Sequence, residues 1–125
     1  MSKDDQFSIQ LESIEEHRPW GYYQILARGQ RYLAKKIVVY PQKQTSLQFH
    51  EHRDEHWVVV RGRALLTIHE ETKECEENAS VFIPKRMQHR IANPTTEDLE
   101  IIEVQFGDDL REDDITRISD DFGRV

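Results

Sequence analysis

Between Trp20 and Phe106 the chain is cut by turn-forming residues into short runs rich in β-branched and aromatic side chains, and this rhythm restricts what it can fold into. The runs are Tyr22 to Leu26, Tyr32 to Tyr40, Ser46 to His52, Glu55 to Val60, Ala64 to His69, Ser80 to Ile83, Gln88 to Ala92 and Leu99 to Phe106. Gly29, Pro41, Gly62 and a charged hairpin near Glu70 to Lys73 fall between them. Such spacing predicts an all-β sandwich or barrel. Only Leu110 to Ser119 has a helical pattern, with Asp113 and Asp114 near its start and Ile115 and Ile118 three apart, so a short C-terminal helix is expected. Residues 1–16 are polar and acidic and read as an N-terminal arm, which leaves 17–125 as one domain with room for a single core.

Charge narrows the partners. A net charge of -7 sets a repulsive field against duplex nucleic acid and anionic membrane surfaces, so neither is an expected partner, and any phosphate must be met by local cations. The single cysteine, Cys75, has no internal partner, and the N-terminus lacks an apolar signal core; both point to a reducing cytoplasm. No apolar run reaches membrane-spanning length. Small barrels with exposed edges tend to pair, and a homodimer is expected.

Four of the six histidines lie within or beside two strand runs, His50, His52 and His56 in one stretch and His89 in a later one. Alternation along a strand puts Gln48, His50 and His52 on one face and Glu55, Trp57 and Val59 on one face of the next run. Only Arg53 and Asp54 separate the two, which suits a tight hairpin. With His89 opposite, three imidazoles and a carboxylate form a metal-ligand set, His50, His52, Glu55 and His89, suited to zinc, manganese, iron, nickel or cobalt. Glu55 and His56 point to opposite faces, so either can complete the shell but not both without a bulge. The plainer alternative is a metal-free barrel with hydrogen-bonded histidines.

The histidine pair, the Glu55 to Gly62 spacing and the Pro84, His89, Asn93 spacing resemble the two motifs of the cupins, double-stranded β-helix (jelly-roll) barrels. Arg18-Pro19-Trp20-Gly21-Tyr22-Tyr23, Ser46-Leu47-Gln48, Glu55-His56-Trp57-Val58-Val59-Val60, Glu103-Val104-Gln105 and Asp120-Asp121-Phe122-Gly123-Arg124 are similar to the type II phosphomannose isomerase cupin. The likeness runs over roughly residues 17 to 124, and it departs from the usual cupin pattern at Glu51, at Arg86 and in the two residues between His52 and Glu55. In that family the barrel is often the C-terminal half of a bifunctional enzyme whose other half is a mannose-1-phosphate guanylyltransferase. No Gly-rich nucleotide-binding segment precedes Trp20, so nucleotidyl transfer is not expected.

The resemblance implies interconversion of mannose 6-phosphate and fructose 6-phosphate, with a sugar phosphate as the small-molecule partner. Aldose to ketose conversion removes a proton beside a carbonyl and returns it to the neighbouring carbon, which calls for a Lewis acid and a proton shuttle. If Glu55 is a ligand, His56 or Glu103 is left as the candidate catalytic base. Glu103 and Gln105 share a face that either lines the cavity or meets water. The candidate substrate-binding residues are Gln48, Lys36, Arg86, Arg90 and Gln105, the arginines being the better bidentate phosphate ligands. The rival reading is a noncatalytic sugar or sugar-nucleotide binding module; a metal-dependent oxygenase is a third, since fold decides no reaction.

Overall fold

The computed structural model describes residues 14–125, so most of the expected arm lies outside the described residues. Eleven strands form two antiparallel sheets. One runs in the order β1 (Glu16–Arg18), β2 (Gly21–Arg28), β3 (Tyr32–Val39), β10 (Leu99–Phe106), β5 (Asp54–Arg61), β8 (Ser80–Ile83). The other runs β11 (Thr116–Ser119), β4 (Leu47–Phe49), β9 (His89–Ala92), β6 (Ala64–Ile68), β7 (Glu71–Cys75). Among the described residues there is no helix, and so none long and apolar enough to cross a membrane.

Period-two alternation decides what the barrel encloses. On β3 the inward residues are Leu33, Lys35, Ile37 and Val39; on β10 they are Leu99, Ile101, Glu103 and Gln105; on β5 they are Glu55, Trp57 and Val59. Register then sorts these rows by polarity. Val59 is paired with Ile101, and Leu99 with Val39, at one end of the sheet; Glu55 is paired with Gln105, and Glu103 with Lys35, at the other. The apolar end joins Leu66, Ile83 and Ile91 in a continuous core, where each such side chain contributes about 1.5–3 kcal/mol by leaving water. Strands continue into the polar end with the same pleat, so charged side chains are carried into the interior there and the site is built on rigid elements.

Three local expectations give way to non-local pairing. The tail is not a helix: residues 116–119 pair with β4 as an edge strand, Thr116 opposite Phe49 and Arg117 opposite Gln48, and Ile118 is exposed instead of packed. The backbone groups along β4 gain a ladder partner this way, which the weak helical spacing does not outweigh. Strand β4 stops at Phe49, and it lies in a different sheet from β5, so residues 50–53 cross between sheets instead of forming a hairpin. Alternation therefore ends before His52. Arg86 sits at φ 67, the left-handed region that favours glycine, and its N–H donates to the His50 carbonyl at 2.8 Å, tying the turn to the crossing segment. At Gly21 a Cβ would run into the carbonyl oxygen of Val38 across the β2–β3 ladder, so only glycine allows these strands to close here.

Candidate metal centre

Two strands and the crossing segment bring three buried side chains together: His50, Glu55 and His89. His50 Nε2 stands 3.1 Å from His89 Nε2 and 3.2 Å from Glu55 Oε2, and His89 Nε2 is 3.6 Å from Glu55 Oε1. Each imidazole is oriented from behind by a carbonyl, His50 Nδ1 donating to Asp114 O at 2.7 Å and His89 Nδ1 to Met87 O at 2.9 Å. A carbonyl only accepts, so both Nδ1 atoms carry hydrogen, and with both rings neutral the two Nε2 atoms would turn their lone pairs inward.

That convergence fits a cation. Two nitrogen lone pairs and a carboxylate oxygen repel one another unless positive charge lies between them, and a proton on one ring serves only one pair at a time. Ligands bound at about 2.0–2.2 Å to one transition metal stand roughly 3–3.5 Å apart, close to the spacings here. Burial, the Arg53 charge and His89 lower the His50 pKa to about 3, so its Nε2 is unprotonated at neutral pH. Burial alone would raise Glu55, but the charges of His89 and Arg53, with hydrogen bonds from Glu103 and Arg53, outweigh it and hold Glu55 ionised.

Arg53 is part of the same cluster, its Nε 2.8 Å from Glu55 Oε2 and a terminal nitrogen 3.2 Å from His50 Nε2. Trp57 Nε1 donates to Glu55 Oε1 at 3.1 Å and to Glu103 Oε1 at 3.0 Å, bridging the two carboxylates. Glu103 behaves oppositely to Glu55: burial and the nearby Glu55 charge raise its pKa, with Lys35 and Arg53 offsetting part of the rise. The pKa values of two neighbouring carboxylates are thus pushed in opposite directions. The cluster opens onto a cavity of about 120 Å³ lined from both sheets, with Gln48, Trp20 and Glu103 on its walls.

The other sequence-predicted residues are dispersed. His52 is exposed and outside the cluster; only its backbone N–H is engaged, with that of Glu51, by the Asp114 carboxylate at 3.0 and 2.9 Å. His56 points out of the sheet onto the Phe82 ring, 4.9 Å between centroids, because it has the opposite parity to Glu55. The same parity sends Lys36 outward, 3.8 Å from Glu100, while Lys35 turns in and pairs with Glu112 at 2.9 Å. Arg86 is exposed and paired with Glu51 at 3.1 Å; Arg90 ties Thr45 and Ser119 carbonyls on the outer face. Gln105 has no exposed surface and donates to Glu103 Oε2 at 2.9 Å, so it holds Glu103 in place and does not reach the cavity. Asp114, Met87, Trp57 and Arg53, which orient the cluster, carry no metal-ligand signature in sequence.

The His50 shift has a stability consequence. Its folded pKa lies below that of the unfolded chain, so its contribution is intact above about pH 6.5 and is lost as the pH falls toward 3, because only the unfolded chain takes up the proton. Metal-free protein unfolded by denaturant at pH 7.5 and at pH 5.0 should therefore be less stable at the lower pH, and His50→Gln should flatten that slope. An unchanged slope in the variant would assign the loss to other groups.

An eleven-stranded pair of sheets closed over a polar-ended cavity is a cupin barrel, and solved structures agree. A cupin from Shewanella frigidimarina described as RmlC-like superposes with TM-score 0.73 over 86% of this chain and 93% of that one at 21% identity. A variant of Bacillus subtilis oxalate decarboxylase gives 0.75 over 86% and 30% at 17% identity. Within that class, the chain belongs to the family described as Mannose-6-phosphate isomerase C-terminal, whose profile matches residues 5–120. Among curated relatives, mannose-1-phosphate guanylyltransferase ManC of Salmonella typhimurium is 47% identical over 89% of this chain, and alginate biosynthesis protein AlgA of Pseudomonas aeruginosa is 49% identical over 89%. The chain spans about 23% of the length of either, matching their C-terminal cupin region.

Proposed function

We propose that this barrel is a metal-dependent isomerase of a hexose 6-phosphate, interconverting mannose 6-phosphate and fructose 6-phosphate. The observation that carries the reading is the pairing, on one cavity wall, of an ionised cluster suited to a cation with a second carboxylate, Glu103, whose pKa is raised. His50, Glu55 and His89 would hold the ion. When bound, it polarises the carbonyl and hydroxyl oxygens of the sugar.

The protein's own groups do the rest. Glu103, whose pKa burial and Glu55 raise, would as the carboxylate take the proton from one sugar carbon and, then protonated, return it to the neighbouring carbon. Trp57 and Gln105 fix its two oxygens, so the carboxyl group does not swing away between the two transfers. Gln48 and Trp20 offer an amide and an aromatic surface to the sugar within the same cavity. Glu55 is left to stay ionised throughout. The lone buried Cys75 suits a cytoplasmic setting. We also propose a homodimer, joined through the outer face of one sheet, where Tyr32 on β3, Val104 and Phe106 on β10 and Phe82 on β8 remain exposed. Sedimentation at micromolar concentration should give twice the chain mass; a monomer would remove that assignment.

A noncatalytic sugar-binding module is the second reading, favoured by Arg53, whose guanidinium already neutralises Glu55 and reaches His50 without a metal. Metal analysis of freshly purified protein, followed by a coupled assay with mannose 6-phosphate, separates the two. Turnover that is lost on chelation and restored by one divalent ion supports the isomerase. Saturable sugar binding with no turnover under any metal supports the module.

A further inference from the structure

Three arginines from the two ends of the described chain meet on the cavity wall: Arg18 at the end of β1, Arg117 on β11 and Arg124 beyond it. Two of them have protein partners. Arg124 is forked onto the buried Asp120, with Nε 2.7 Å from Oδ2 and a terminal nitrogen 2.8 Å from Oδ1. Arg18 lies over the Tyr23 ring and donates to the Tyr23 hydroxyl at 3.3 Å and to the His17 carbonyl at 2.8 Å. Arg117 has neither kind of support: among the described residues its guanidinium makes no hydrogen bond or ion pair, and its Nε is shut away from solvent with no acceptor.

A guanidinium is never neutral in a protein, and a buried donor without an acceptor is costly. Like-charged neighbours add to that cost. Burial, Arg124 and Arg18 all press the Arg117 pKa below its ordinary value, and Asp120 offsets only part of this. In a chain of net charge -7, a concentration of cations facing one cavity is what an anionic ligand would need.

Register gives the anion its place. Arg117 is directly opposite Gln48, and Gln48 directly opposite His89, on three adjacent strands. Directly opposed residues share a face, so the guanidinium and the imidazole border the same space about two strand spacings, roughly 10 Å, apart at the backbone. We propose that Arg117, flanked by Arg18 and Arg124, is the phosphate subsite of this cavity and takes the phosphate ester of a phosphorylated sugar whose oxygens meet the His50, Glu55 and His89 centre. The assignment rests on the sugar-phosphate reading of the site for its ligand, but it stands or falls on anion binding rather than on turnover.

Calorimetric titration of the full chain with inorganic phosphate, mannose 6-phosphate and unphosphorylated mannose tests it. Wild-type protein binds mannose 6-phosphate more tightly than mannose, and inorganic phosphate competes with it. Arg117→Gln weakens mannose 6-phosphate and inorganic phosphate alike by roughly 10- to 100-fold, with metal content and the mannose titration unchanged. Arg117→Lys keeps the charge but not the fork and falls between the two. Arg63→Gln, on the exposed surface away from this cavity, matches wild type. Wild-type affinity in a folded Arg117→Gln protein overturns the proposal; should that variant not fold, Arg117→Lys and Arg18→Gln read a smaller loss of the same two ligands, and wild-type affinity in both overturns it. Absence of competition by inorganic phosphate in wild type overturns it as well. Phosphate binding lost in Arg117→Gln without any turnover in wild type sinks the isomerase and leaves the subsite. Turnover with an unchanged KM in Arg117→Gln does the reverse.

Discussion

His50→Ala and His89→Ala should each lose bound divalent metal, while His52→Ala and His56→Ala should keep it. The first two remove an inward Nε2 from a cluster whose donor atoms lie 3.1–3.6 Å apart. The second two alter exposed rings outside that cluster. Partners that merely orient a ligand are worth roughly 10- to 100-fold in metal affinity, so deleting the ligand should cost at least about 100-fold. Elemental analysis after dialysis against a weak chelator reads this directly, and turnover of mannose 6-phosphate should fall with it. Equal metal content in all four variants would place the ion elsewhere and undo the assignment of His50 and His89 together.

Glu103→Gln is the second large effect, and of a different kind. The replacement keeps the volume, and its carbonyl oxygen can still accept from Trp57, but the group proposed to move the proton is gone. Turnover should drop about 10²–10⁴-fold with metal content intact, since general acid–base groups contribute on that scale. The limb of the pH–kcat profile set by a carboxyl group above its ordinary range should vanish in any residual activity. A kcat within twofold of wild type would exclude Glu103 as the shuttle and leave only groups outside this cluster.

What could be read from sequence follows from the range of the forces involved. Strands β2, β3, β5, β6 and β10 are written in local alternation, and so is the face shared by Glu55 and Trp57, whereas alternation alone leaves the face of Glu103 and Gln105 open between cavity and water. Parity misleads wherever the strand is assumed to continue. Parity puts His52 beside His50, but the strand ends at Phe49 and the Asp114 carboxylate captures the backbone N–H groups of Glu51 and His52. Parity could equally have separated Lys35 from Lys36. The tail is the other kind of miss, because Ile115 and Ile118 give a local helical spacing while the conformation is set by a ladder to residues nearly seventy positions earlier, Thr116 opposite Phe49. The arginine wall was within reach only through the motifs at the two ends, Arg18-Pro19-Trp20 and Asp120 to Arg124, since nothing local says that they meet.

The carbonyl of Asp114 that sets the His50 ring belongs to a residue 64 positions later in the chain. A ribosome delivers these segments in order, so most of the barrel can emerge before the group that aims its first imidazole has been made. The centre is therefore completed late in translation, and a nascent chain arrested before Asp114 would carry His89 with its Met87 carbonyl but His50 without the carbonyl that aims it.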